Sequence, residues 1–171
     1  MEIVLINDAL FRENSPIKGE TVVSEFAPYI SLAQKMYIER ILGQALTDEL
    51  KEQVKADELT EENRALILMI APALSFYAVY QGLPFHWAAI VNKGVTLRES
   101  ENSKAVDLKD IAQLRRWVKD DAEEFLRDLI AYLNRCGHPL WNPSRGCGCG
   151  GEQGAANAPL DTGIFIPNTR R

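Results

Sequence analysis

The stretch from Ala65 to Tyr80 constrains this chain most. It reads ALILMIAPALSFYAVY, and only Ser75 and the two tyrosine hydroxyls are polar along it. A helix that is apolar on every face must be enclosed by protein or by lipid. The run is 16 residues long, and Pro72 interrupts it. A bilayer span needs roughly 20 apolar residues, so a protein interior is the expected surrounding. Thr60 is a good N-cap, and Glu61 and Glu62 place negative charge where the helix dipole favours it. Gly82 followed by Pro84 is a stop signal. The reading is a buried central helix over residues 61–81, bent or broken at Pro72, with Leu66, Ile67, Ile70, Leu74, Phe76 and Tyr77 in the core.

The other elements are expected to pack around it. Asn7 can cap a brief helix from Asp8 to about Glu13, which Ser15-Pro16 ends. Ile3, Leu5, Leu10, Phe11 and Ile17 pin this arm to the core. A helix from about Glu25 to Leu42 has Ser24 as its candidate cap, with Pro28 tolerable in the first turn; Gly43 ends it. A second runs from about Thr47 to Lys55, with Leu46, Leu50 and Val54 on one side. Residues 84–91 suit either a short helix or the start of a strand, and Asn92-Lys93-Gly94 is a turn signal for a small hairpin near 90–98. The last helix, from about Leu108 to Cys136, is the clearest amphipathic one. Leu108, Ile111, Ala112, Arg115, Val118, Ala122, Phe125, Leu126, Leu129, Ile130 and Leu133 trace one face. Asp107 is its cap, and Gly137 with Pro139 its stop. The mixed charges outside (Arg115, Arg116, Lys119, Asp120, Glu123, Glu124, Arg127) are expected to form a solvated face, with an inter-subunit surface as the alternative. The fold class is all-α: a compact bundle of about four main helices around a buried one.

Composition divides the chain. Residues 136–171 hold seven of the 11 glycines and four of the eight prolines, with three arginines against Glu152 and Asp161. The folded body is therefore expected over 1–135 and an extended, flexible arm over 136–171. Beyond the glycine cluster, Thr162, Gly163, Ile164, Phe165, Ile166 and Pro167 form a β-prone patch suited to docking on a partner. The net charge of −5 argues against tight wrapping of nucleic acid. Met1 to Asn14 lacks the basic start and long apolar run of a signal peptide. An odd number of cysteines does not suggest a secreted disulfide framework, so synthesis in a reducing cytoplasm is expected.

No enzymatic constellation emerges. There is no nucleophile elbow, phosphate loop or zincin helix. His86 in PFHW reads as a structural histidine. The one cluster to weigh is Cys136, His138, Cys147 and Cys149, four residue types that can make a Cys₃His zinc site. The gaps in CGH and CGC are tighter than usual zinc spacings, and three reduced thiols near a glycine-rich segment is the competing reading. No cofactor is expected.

Several blocks in order carry a resemblance: FRENSPI (11–17), APYISLAQKMYI (27–38), ILGQAL (41–46), APALSFYAVYQGLPF (71–85), NKGV (92–95) and SENSKAVDL (100–108). Over about residues 6–135 the chain resembles small virion proteins of tailed phages of the Bacteroidetes and crAss-like type, similar in role to head–tail connector, or adaptor, proteins. The resemblance implies a non-enzymatic subunit that forms a ring, twelvefold like the portal it sits on. It implies as partners the portal protein, neighbouring copies and tail proteins, with DNA passing through unbound, no membrane, and a place at the head–tail junction of the virion. A head-completion or tail-terminator ring is the alternative within structural roles. A small zinc-binding regulatory module, resting on the Cys/His cluster, is the alternative of another class.

Overall fold

The computed structural model describes residues 3–17, 23–91, 94–97 and 108–142. The chain order is α1 (Asp8–Asn14), a 3-10 turn (Val23–Glu25), α2 (Ala27–Ala33), a π turn (Gln34–Ile38), α3 (Glu39–Leu42), α4 (Gln44–Ala56), α5 (Glu61–Trp87), β1 (Ala88–Val91), β2 (Gly94–Leu97) and α6 (Leu108–Cys136). The strands form one antiparallel hairpin in which Ala88 faces Leu97 and Val91 faces Gly94. Among the described residues everything else of regular structure is helical.

Helix α5 is the hub. Both α2 and α6 pack on it, and they make almost no contact with each other. Leu66, Ile67, Ile70, Leu74 and Tyr77 are buried, while Phe76 is half-buried and meets Phe125 of α6 edge-on, with centroids 5.1 Å apart. The helix is not enclosed all round, as its composition suggested. Leu68 is 54% exposed, and Ala65 beside it is exposed too. The segment Glu61–Phe85 has the length and apolarity of a membrane span, and 61% of its most apolar 18-residue stretch is buried within the protein. Thr60 caps it as expected, its Oγ1 accepting from Asn63 N at 3.3 Å.

The expected stop at Gly82-Pro84 does not operate: α5 runs on to Trp87 with two prolines inside it. Each proline removes the N–H that would bond the carbonyl four residues back. Pro84 frees the Tyr80 carbonyl, and Arg115 of α6 donates its Nε–H to that oxygen at 3.2 Å. The same guanidinium lies 4.1 Å over the Tyr80 ring, a favourable cation–π position. Pro72 frees the Leu68 carbonyl, on an exposed stripe of α5 where a carbonyl is open to solvation. Gly82 serves close approach and not termination. A Cβ there would sit 2.8 Å from Cε1 of Phe26, whose buried ring is wedged between Phe11 and Tyr29.

The single helix expected over 25–42 is continuous but starts at Ala27 and widens into a π turn at Gln34. Phe26 and not Ser24 precedes it, without a side-chain cap, and Pro28 sits in the first turn as anticipated. Gln34 is fully buried and behaves as a strand partner for the N-terminal arm. Its Oε1 accepts from Leu5 N at 2.8 Å and its Nε2 donates to Ile3 O at 3.1 Å. Leu5, Ile6 and Phe11 are thereby held in the core. Tyr37, in the same π turn, stacks on Tyr77 with centroids 3.9 Å apart and accepts from Gln81 Nε2 at 2.7 Å. Gly43, at φ +78°, separates α3 from α4. Helix α4 begins at Gln44, a turn earlier than expected.

Two alanine substitutions in α5 are expected to have opposite signs, although alanine favours helix at both sites. Ser75 is wholly buried and its hydroxyl has no partner, so Ser75→Ala stabilises by about 1 kcal/mol. Gly82→Ala forces the Phe26 ring out of place and destabilises by about 1–3 kcal/mol. Thermal melts of the two variants check this; equal shifts of the same sign contradict the packing described for Gly82.

Candidate interaction surface

The chain does not leave the body at Cys136. Gly137, at φ +61°, caps α6 by donating its N–H to Leu133 O at 3.1 Å. This left-handed cap turns residues 138–142 back across the bundle as a strap. Trp141 packs on the core and donates Nε1–H to Ile41 O at 2.9 Å. His138 Nδ1 accepts from Leu140 N at 3.3 Å, which leaves Nε2 as the protonated nitrogen, facing Asn63 Oδ1 at 3.1 Å. Asn63 is buried, and its Nδ2 donates to Glu49 Oε1 at 3.0 Å and Gln53 Oε1 at 2.9 Å. One asparagine thus joins α4, the first turn of α5 and the strap, with all its side-chain hydrogen-bonding atoms used.

This bears on the expected metal ligands. Both nitrogens of His138 are engaged, so neither presents a free lone pair for a metal in this conformation. Cys136 is exposed at the mouth of a cleft of about 350 Å³ lined by Glu62, Leu66, Tyr132, Leu133, His138 and Pro139. The Tyr132 hydroxyl is pushed up in pKa, first by its hydrogen bond to Cys136 and then by burial. Cys147 and Cys149 lie outside the described residues, as do Thr162, Gly163, Ile164, Phe165, Ile166 and Pro167. Among the described residues no group of three or more His, Cys, Asp or Glu is arranged to hold a metal ion.

The outer face of α6 carries mixed charges, with Lys119 paired to Glu123 and Arg127 to Glu124. Arg115 leaves it for Tyr80. At 100° per residue the basic residues lean to one side, with Asp120 and Glu123 among them, and the other acidic residues to another. Lys109, Arg116, Lys119 and Arg127 fall to one side, where Lys119 pairs with Glu123 at 3.0 Å. Asp110, Asp121, Glu124 and Asp128 fall on another stripe, all exposed, where Glu124 pairs with Arg127 and exposed Arg135 follows two turns beyond Asp128. Between them on that acidic stripe stand Leu114, 42% exposed, and Trp117, 59% exposed. Helix α2 and the π turn carry a second apolar stripe: Pro28, Leu32 and Met36, all exposed. Glu25, Lys35 and Arg40 are exposed beside it. Glu39 is drawn away by Gln34 Nε2 and by an ion pair with Lys51. On α5 the residues beside α6 fall at 62, 66, 76 and 80, and those touched by Phe26, α2 and the π turn at 77, 81, 82 and 85. These two sets are about 120° apart around the helix, so the stripes belong to different sides of the body.

The model of a family of unknown function, DUF6712, matches residues 38–151. The chain belongs to that family. The matched span takes in α4, α5, the hairpin, α6 and the strap, and begins after Met36. No curated protein and no solved structure matches the chain.

Asn63→Ala is expected to leave the half-buried partners Glu49, Gln53 and His138 short of hydrogen bonds and to cost about 1–3 kcal/mol. Hydrogen exchange should then rise selectively at residues 138–142. An unchanged melt with unchanged exchange there contradicts the strap described above.

Proposed function

We propose that the chain is a structural virion protein: a head–tail connector subunit that forms a ring on a phage portal and bridges to the tail. The observation that carries this reading is the presence of two unlike apolar stripes, at Leu114/Trp117 and at Leu32/Met36, on different sides of one helical body. A heterologous contact repeated about an axis closes a ring, and it requires two different faces on each subunit. The blocks in order over residues 6–135 support the same reading through their resemblance to connector proteins. An acidic body, at net charge −5, suits a channel through which DNA passes without being gripped. On this reading the protein is not an enzyme and uses no cofactor. Its partners are the portal protein, neighbouring copies in a ring of twelve, and tail proteins, and its place is the head–tail junction of the virion after synthesis in the host cytoplasm. Residues 159–171, with Ile164, Phe165 and Ile166 at their centre, act as a docking arm on the portal or an adjacent subunit.

The test is electron microscopy of the protein mixed with its cognate portal, beside a chain truncated after Ala158. The full chain should add a ring of density to the portal. The truncated chain should melt at the same temperature and lose portal binding. Failure of the full chain to associate with portal particles at any salt concentration rejects the reading; full-strength binding by the truncated chain rejects only the docking arm.

A further inference from the structure

We propose that the open edge of the β1–β2 hairpin receives the segment Thr162–Pro167 of the same chain as a third strand. The pairing belongs to the free subunit and holds its arm on its own body before any partner is met. It therefore stands apart from the ring reading and is tested without a portal.

The hairpin is a sheet of two strands, and no third strand pairs with it among the described residues. Two strands alone are marginally stable in water. Strand β1 continues α5 and lies against its end, whereas β2 has no comparable contact with any helix. The register fixes what the β2 edge offers. Val91 and Gly94 are paired with two residues between them, so they bond to each other and the bonding alternates from there along the ladder. Val95 and Leu97 therefore turn their backbone N–H and C=O away from β1, toward the open side. A bare edge of this kind pairs between chains unless something covers it.

Composition, register and tether length select the occupant. Outside the described residues, Ile164-Phe165-Ile166 is the one run of three large apolar residues, and β-branched and aromatic side chains favour strands. Its length suits the edge. In antiparallel order, with Ile166 opposite Val95 and Ile164 opposite Leu97, both outward-turned residues of β2 are met. Pro167 then falls opposite Gly94, whose backbone groups already face Val91, so the donor that proline lacks is not needed there. Thr162 lies 20 residues beyond Asn142, a reach of about 66 Å when fully extended. His138 is bonded to Asn63 in the first turn of α5, and β1 begins at Ala88, about 38 Å further along that axis. The chain's own hairpin is therefore within reach, and a tethered strand meets it at an effective concentration that is roughly millimolar. A free subunit more dilute than that pairs with itself before it pairs with a neighbour.

The test is nuclear magnetic resonance on the full chain, on the chain truncated after Ala158, and on Ile164→Pro, which removes the N–H that meets Leu97. In this register Thr96 and Phe165 form a non-hydrogen-bonded pair with Cα atoms about 4.5 Å apart, so the full chain should show a strong Hα–Hα contact between them. The amides of Val95 and Leu97 should exchange about tenfold more slowly in the full chain than in either variant. The helical body lies outside the contact, so its melt should be the same in all three. In a mixture of ¹³C-labelled and unlabelled chains, the Thr96–Phe165 contact should persist within labelled chains and be absent between labelled and unlabelled ones. The proposal is overturned if that contact is missing, if Ile164→Pro keeps it, or if Val95 and Leu97 exchange alike in the full and truncated chains. A contact that arises only between chains also overturns it, and makes a neighbour's arm the occupant. Ring density on the portal without this contact in the free chain removes the third strand and leaves the connector reading; the contact without ring density does the reverse.

Discussion

A helix of 27 residues with prolines at 72 and 84 has two carbonyls without their usual donors, and the rest of the structure is arranged around that constraint. An unpaired carbonyl costs little at the surface and about 1–3 kcal/mol when buried. At Leu68 the fold leaves the stripe open to water. At Tyr80 it supplies Arg115 from α6, whose Nε–H takes the place of the amide that Pro84 lacks. The second solution does more than satisfy an oxygen. It fixes the axial position of α6 against α5, because a planar guanidinium must meet the carbonyl and cover the Tyr80 ring together. It also lets α5 continue to Trp87 and deliver the chain into β1.

Two buried amides do comparable work at the periphery. Gln34 holds the arm through paired bonds to Leu5 and Ile3, and Asn63 holds the strap through His138. Apolar contacts alone leave a peripheral segment free to slide, because hydrophobic burial is non-directional. A buried amide with every atom matched allows one register only, since any other leaves donors and acceptors unpaired. The helical body therefore has its two ends tied down. The faces left open on α2 and α6 are parts of a defined surface, and Trp117 and Met36 are exposed on rigid elements.

Much of this was legible in the residues. The spacing of Val118, Ala122, Leu126, Leu129 and Leu133 defined the buried face of α6, and Asn7 and Thr60 marked the starts of α1 and α5. The hairpin about Gly94 followed from its turn residues. What was not legible depended on partners distant in sequence. Gly82-Pro84 has the pattern of a helix stop, and only the proximity of Phe26 and Arg115 turns it into a packing site and a rescued carbonyl. Gln34 reads as one more polar residue in an amphipathic helix until the arm is seen beside it. The strap was hidden because Gly137 and Pro139 announce the end of α6 whether or not the chain turns back. Trp117 and Leu114 were passed over because the charges around them suggest solvent. Their signal was present all the same: two large apolar residues three apart, on the outer side of an amphipathic helix.

The continuity of α5 across Pro84, held by Arg115, is the point on which the positions of α6 and the hairpin depend. Hydrogen exchange along α5 in the parent and in Arg115→Met tests it most directly, since methionine keeps the packing of the stem and removes the donor. The account predicts slow exchange from Leu66 to Gly82 in both proteins, with amides from Phe85 to Trp87 exchanging markedly faster in the variant. Identical protection of those last residues in the two proteins would contradict it.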